Sequence, residues 1–187
     1  MHGREQYSDV RVGGKPVSPD RVVTHPPLST RGEFGSDLVY LFTPPRAAEF
    51  KLQKRTTLQA HAVIVYEFHL PADKNTFWTL YDANNRSLRP ELRGELWIEP
   101  QQAKLLRLQL EPIHLPLDFA IESGMTTIDF ADVSLSDAGV FLMPVSSKTE
   151  ACSREYNLNL LGPCLYNVVS FHDCHKFTAK TKVSVIH

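Results

Sequence analysis

The sequence predicts a mainly β, β-rich α+β domain: a curved antiparallel sheet or half-barrel of about eight to ten strands, covered by one helix near residues 31–42. Three observations carry this. From residue 49 onward, apolar and polar residues alternate with a period of two over most of the chain. Clusters of Gly, Pro, Asn and Asp separate the alternating runs, as turns require. One stretch alone, ahead of these runs, carries the longer period of a helix.

Residues 5–12 alternate weakly and end at Gly13-Gly14, which predicts a hairpin into Lys15-Pro16-Val17. Residues 18–27 contain Pro19, Pro26 and Pro27 among polar neighbours and read as a surface loop. Thr30-Arg-Gly-Glu33 has the spacing of a capping box, in which each side chain satisfies an orphan amide, so a helix starts there. Phe34, Leu38, Leu41 and Phe42 then fall at i, i+4, i+7 and i+8, one apolar stripe, and Pro44-Pro45 ends it.

Phe50 and Leu52 alternate with Lys51 and Gln53, and a polar stretch over 54–57 follows. In residues 61–70, Ala62, Ile64, Tyr66, Phe68 and Leu70 share one face, and His61, Val63, Val65, Glu67 and His69 the other, the pattern of a central strand. Pro71-Ala-Asp-Lys-Asn75 turns the chain into residues 76–81, and Asp82-Ala-Asn-Asn85 turns it again, so a meander builds. Residues 91–111 form its clearest hairpin. Leu92, Gly94, Leu96 and Ile98 share one face, as do Leu106, Leu108 and Leu110 on the return, so only a register of like parity keeps apolar against apolar. The register expected sets Glu95 opposite Arg107, Leu96 opposite Leu106 and Leu92 opposite Leu110, with Pro100 at the turn.

Prolines 112 and 116 then break the period, and residues 112–119 read as a loop carrying Ile113, Leu115 and Leu117. Thr126, Ile128 and Phe130 resume the alternation; Ser136-Asp-Ala-Gly139 is a turn, and Pro144 in the run 140–145 favours an edge or a bulge. Residues 157–161 lead to a turn at Gly162-Pro163, and residues 164–171 and 181–186 close the chain as strands. There is no internal repeat and no low-complexity segment.

At 187 residues the default is one domain, 1–187, with a sizeable core. Hydrophobic residues at 42% and charged residues at 22% exclude a disordered chain. Twenty basic residues balance twenty-one acidic ones without a long basic run, which argues against nucleic acid as a partner. No apolar stretch approaches the ~20 residues of a transmembrane helix, so no transmembrane segment is expected. Met1-His-Gly-Arg-Glu-Gln lacks the regions of a secretion signal. Cys152, Cys164 and Cys174 match no metal or redox spacing; one disulfide with a free thiol and three packed thiols are both open, the second being the simpler reading.

Phe171-His-Asp-Cys-His175 gathers residues that ligate zinc, with Cys164 or Cys152 as further ligands. In a strand, however, His172 and Cys174 point one way and Asp173 and His175 the other, so the stretch reads as a polar strand end and no metal is expected. His61 and His69 are about 26 Å apart along one strand and cannot meet. Asp129 with Asp132, and Glu95 with Glu99, are acidic pairs of the kind found on solvated strand faces. A nucleophile elbow, a Walker loop and a dinucleotide turn are all missing, so the expectation is a protein that is not an enzyme and carries no cofactor.

The succession Arg31-Gly-Glu-Phe-Gly-Ser-Asp-Leu with Leu41-Phe42, Phe50, His61-Ala-Val-Ile-Val-Tyr-Glu-Phe, and Arg93-Gly-Glu-Leu-Trp-Ile with Leu105-Leu-Arg-Leu resembles a family of uncharacterised acidobacterial envelope proteins. Leu142-Met-Pro-Val145 and Phe171 with Lys176-Phe177 continue the match, which runs from about Gly3 to the end. These proteins are similar in architecture to the lipoprotein-carrier (LolA/LolB-like) half-barrel. Members carry a secretion signal and further strands ahead of the position matched by Gly3-Arg4-Glu5, which implies a shortened start at Met1 and, if a signal sequence precedes Met1 in the full gene, a periplasmic or cell-envelope location. The resemblance supplies no catalytic residues.

A half-barrel binds by leaving an apolar concavity partly uncovered, where an acyl chain gains burial at ~25 cal/mol per Å². The candidate lining is Tyr66, Phe68, Leu96, Leu106, Leu108, Ile128 and Phe130, with Phe34 and Leu38 of the helix as lid. The first functional expectation is therefore a non-catalytic domain that binds a lipid, a lipoprotein acyl chain or another apolar ligand. In the alternative the same residues are simply core, and the protein is an envelope structural or interaction module that meets a protein partner through an open sheet edge or the loop 112–119.

Overall fold

The computed structural model describes residues 11–12, 15–16, 36–42, 48–81, 86–135, 139–154, 164–172 and 174. Two short strands, β1 (Arg11–Val12) and β2 (Lys15–Pro16), pair antiparallel across Gly13-Gly14, as the glycine pair predicts. Helix α1 spans Ser36–Phe42; the capping box at Thr30 and Glu33 and the residue Phe34 lie outside the described residues.

The body of the protein is one antiparallel sheet of seven strands that is not closed into a barrel. Its strands are β3 (Glu49–Leu58), β4 (His61–Leu70), β7 (Glu91–Glu99), β8 (Lys104–Ile113), β9 (Ile121–Leu135), β10 (Gly139–Ser153) and β11 (Cys164–Ser170). The order across the sheet is β11-β10-β9-β8-β7-β4-β3, so each strand neighbours its successor in the chain except where β4 pairs directly with β7. A two-stranded ribbon, β5 (Leu80–Tyr81) and β6 (Ser87–Leu88), is inserted there as a separate small sheet. Residues 76–79, expected to run into a strand of the meander, are irregular.

That irregular segment is held by one side chain. Asn75 is 1% exposed. Its amide nitrogen donates to the carbonyls of Trp78 (3.0 Å) and Pro90 (2.8 Å), while its oxygen accepts from the backbone N–H of Phe77 (3.4 Å) and Trp78 (3.0 Å). A buried amide with donors and acceptor all used ties the loop after β4 to the start of β7.

Residues 54–57, the polar stretch ahead of the central strand, belong to β3. A bulge between Leu52 and Lys54 lets them continue the pairing to Thr57↔Ala62. The hairpin closes through Gln59 and Ala60, both at positive φ (48° and 70°). This is the twist-matched two-residue turn made without the usual Asn-Gly pair.

In the β7–β8 hairpin, parity is as expected but the register differs by two residues. Leu96 faces Leu108, Gly94 faces Leu110, Leu92 faces Pro112 and Trp97 faces Arg107. Glu95 is opposite Gln109 rather than Arg107. The turn is longer than Pro100 alone suggests, with Ala103 at φ 52°, and a bulge follows between Trp97 and Ile98. Pro112 and Ile113 are the last residues of β8, not the start of a loop. Pro144 falls at a bulge in β10, at a point where β11 does not reach, as its missing N–H predicts.

One face of the sheet carries the core. Leu41 of α1, Phe68, Leu92, Leu96, Leu108 and Ile128 are at most 2% exposed, and each such side chain contributes about 1.5–3 kcal/mol by burial. Gly94 is required within this layer, because the ring of its cross-strand partner Phe68 occupies the space a Cβ would take. Val63 and Val65 are buried on the opposite face, where Val65 faces Trp97 and the Lys54 ammonium sits 5.4 Å from the Trp97 ring centroid.

Candidate functional site

The inner face unites most of the residues nominated as a ligand lining. Phe68 (1% exposed), Leu96 (2%), Leu108 (0%), Ile128 (1%) and Phe130 (8%) come together from four strands, with Tyr66 and Leu38 packed half-buried against them. Leu41, at 0% exposure, reaches them from the helix. Leu106 does not join: it falls at the bulge between the Trp97–Arg107 and Ile98–Leu105 pairs, and Leu105 packs against the core instead. Phe34 lies outside the described residues. The side chains that join pack against one another as a buried cluster on this face.

It reaches solvent along an aromatic rim. Phe42 stacks on Phe50 (centroids 5.0 Å), and Phe50 leans on Phe68 (6.1 Å), so a continuous file of rings leads from the core to Phe42, which is 53% exposed. Tyr40 stacks on Phe77 at 5.2 Å beside it.

The opposite face is polar and carries a shallow cavity of about 350 Å³, lined by Gln53, Glu67, Arg93, Glu95, Gln109 and Glu111 with Gly94, Leu110 and Met125. Its charged groups have partners. Arg93 donates to Glu111 from Nε at 2.9 Å, and this bond, with Glu67 adding to it, pushes the guanidinium pKa up. Trp97 Nε1 donates to Glu95 at 3.0 Å, and Arg107 Nε to Asp129 at 2.6 Å. Lys104 pairs with Asp132, and His61 with Glu99 at 2.8 Å. The two acidic pairs noted in the sequence, Asp129 with Asp132 and Glu95 with Glu99, are thus each divided between different partners. The pairs at Arg93, His61 and Lys104 are exposed and contribute about 0–1 kcal/mol each, whereas Arg107–Asp129 is half-buried.

At one end of this face Glu91 bridges two histidines. His114 Nδ1 lies 2.9 Å from one carboxylate oxygen, and His69 Nε2 donates to the other. The carboxylate can only accept, so both imidazoles present N–H. The bond from His114, then that from His69, holds the Glu91 pKa below the ordinary glutamate value. His114 reaches back by adopting φ 55° directly after β8.

The β10–β11 corner resolves the cysteines. Cys152 and Cys164 are directly opposite across the two strands and form a disulfide, and Cys174 is a free thiol. Cys174 and the exposed His172 of the stretch 171–175 are described; Asp173 and His175 lie outside the described residues. Beside the cystine, Glu150 accepts a hydrogen bond from the Tyr166 hydroxyl at 3.3 Å, and its charge pushes the Tyr166 pKa up. Cys152 Sγ is 3.6 Å from the same carboxylate oxygen, a contact and not a hydrogen bond, because a cystine sulfur has no proton.

The two edges of the sheet differ. β3 carries Lys51, Lys54 and Arg55 and a bulge, devices that discourage strand addition. β11 reads Cys-Leu-Tyr-Asn-Val-Val-Ser, with no charge, no proline and no bulge, and its Tyr166 (59%) and Val168 (67%) are exposed. Among the described residues no strand pairs with its outer edge; residues 181–186, expected as a further strand, lie outside them.

Comparison with protein-family models, with curated proteins and with solved structures finds no match to this chain. No helix among the described residues is long and apolar enough to cross a membrane. One disulfide with a free thiol was one of the two readings left open for the cysteines, but sequence reasoning did not give its pairing, and it missed Asn75 and the Glu91 bridge, because each joins residues whose proximity depends on strand pairing. The clearest signal for any of them was the Pro71–Asn75 turn cluster.

Proposed function

We propose that this protein is a non-catalytic interaction module of the cell envelope, with a closed core, and that an extended, uncharged segment of a protein partner adds to its sheet along β11. The observation that carries the reading is the contrast between the edges: a charged, bulged β3 against an uncharged β11 with Tyr166 and Val168 exposed. Main-chain hydrogen bonds would give such a partner affinity, and contacts with alternate side chains its specificity. The filling of the inner face by Phe68, Leu96, Leu108 and Ile128 supports a closed core over a carrier. The Cys152–Cys164 bond supports an oxidising compartment, where disulfides persist.

The carrier reading keeps one favourable observation, the half-exposed rim of Phe42 and Phe50 leading to Phe68, where an acyl chain would enter by displacing the helix. Site-specific photo-crosslinking in cells separates the two. A photoreactive residue at Tyr166 captures a protein partner, and one at Lys51 does not; Val168→Lys abolishes the adduct. Equal capture at both edges, or lipid adducts from Phe42, would overturn the proposal.

A further inference from the structure

On the polar side of the β10–β11 corner, Glu150 is paired with Tyr166 and Cys152 with Cys164. Residues two apart in a strand face the same way, so these four side chains form one array. One carboxylate oxygen of Glu150 and both sulfurs lie within 4.8 Å of one another, all on half-buried residues. Two sulfurs and a carboxylate are the donor set of a borderline-soft divalent cation, zinc above all. As a cystine, however, the sulfurs are not thiolates and do not serve as such ligands.

We propose that reduction of this cystine creates a binding site for one zinc-class divalent cation, held by the Cys152 and Cys164 thiolates and the Glu150 carboxylate. A fourth, tetrahedral position is left to solvent. Around such an ion the sulfurs separate to about 3.8 Å, set by Zn–S bonds of about 2.3 Å, which side-chain rotation supplies. The backbone need not move, because pairing from Ser146↔Ser170 to Cys152↔Cys164 positions the ligands. Tyr166, donating to Glu150, orients the carboxylate as partners of metal ligands do.

The chemistry balances with a dithiol as reductant. Its thiolate attacks one sulfur to give a mixed disulfide, and its second thiolate closes the reductant's own disulfide. Two electrons and two protons thereby pass to Cys152 and Cys164. The cation then displaces both thiol protons to solvent. Cross-link and ion exclude each other, so the corner exchanges one constraint on β11 for another according to the redox poise around it. This inference is independent of the strand-addition reading.

The test uses the full chain, reduced with a water-soluble phosphine and titrated with cobalt(II) under inert gas. The reduced protein takes up one cobalt per chain with a thiolate-to-cobalt charge-transfer band that zinc abolishes; the untreated protein shows no band. Cys174→Ser leaves the titration unchanged, and Cys164→Ser removes the band. Glu150→Gln, which keeps both cysteines and the cross-link and so folds as the wild type does, weakens affinity by about tenfold or more. No band in the reduced protein, a band surviving Cys164→Ser, one lost in Cys174→Ser, or unchanged affinity in Glu150→Gln overturns the proposal.

Discussion

Replacing Gly94 by alanine tests the inner layer at its tightest point. In most strand interiors this change stabilises by about 0.5–1 kcal/mol, because glycine leaves the unfolded chain freer. Here the added Cβ stands 2.5 Å from Cε1 of Phe68 and closer still to the backbone oxygen of Gln109, and real Cβ atoms essentially never come within 3.0 Å of such neighbours. The ring can rotate away, at the overpacking cost of about 1–3 kcal/mol. The Gln109 oxygen belongs to β8 and moves only if the two strands part, which weakens ladder hydrogen bonds of about 0.5–1.5 kcal/mol each. The sum predicts a loss of about 2–4 kcal/mol, read from the urea midpoint at constant m. Phe68→Leu in the same background recovers the ring's share and not the backbone's. Gly94→Ala at or above wild-type stability would refute the packing described for this layer.

Asn75→Ala strands the Pro90 and Trp78 carbonyls and should cost about 2–4 kcal/mol; Asn75→Asp, which turns a carboxylate toward those oxygens, should be no better, and a wild-type-like melt for either would dismiss the pivot. Ser147→Ala should be neutral or stabilising by up to about 1 kcal/mol in chemical denaturation, since the Ser147 hydroxyl is buried without a hydrogen-bond partner among the described residues; a clear loss would contradict this. Glu91 has its folded pKa below the ordinary 4.5, so its contribution is fully present above that pH and fades as pH falls through the folded value. Wild type should therefore lose its stability advantage over Glu91→Gln on acidification, and a pH-independent difference would contradict the His69–Glu91–His114 bridge.

The sheet was legible because burial on one face of each strand writes a period of two into residues such as Phe68-x-Leu70 and Leu108-x-Leu110. Parity survived in the β7–β8 hairpin because a slip of one residue would turn Leu96 and Leu108 outward, whereas a slip of two costs the pattern nothing. The absolute register was therefore invisible: it depends on the Ala103 turn conformation and the bulge at Leu106, which no side chain announces. The same holds for Gln59-Ala60, a tight turn in residues with no turn preference. The polar stretch 54–57 showed no strand alternation because an edge strand exposes both its faces. Most of the lining residues, though not Leu106, were placed on one face by alternation alone, but alternation does not distinguish a cavity from a core. The pairing of Cys152 with Cys164, like the Asn75 contact to Pro90, follows from which strands meet and leaves no mark on the local sequence.

The proposed function requires a closed inner face. Native mass spectrometry of the purified chain, followed by denaturing extraction and lipid analysis, tests it most directly. A closed face gives the mass of the bare polypeptide, unchanged after incubation with phospholipid or acylated peptide. A co-purifying acyl ligand at near one per chain would contradict it and establish an open cavity beneath the helix.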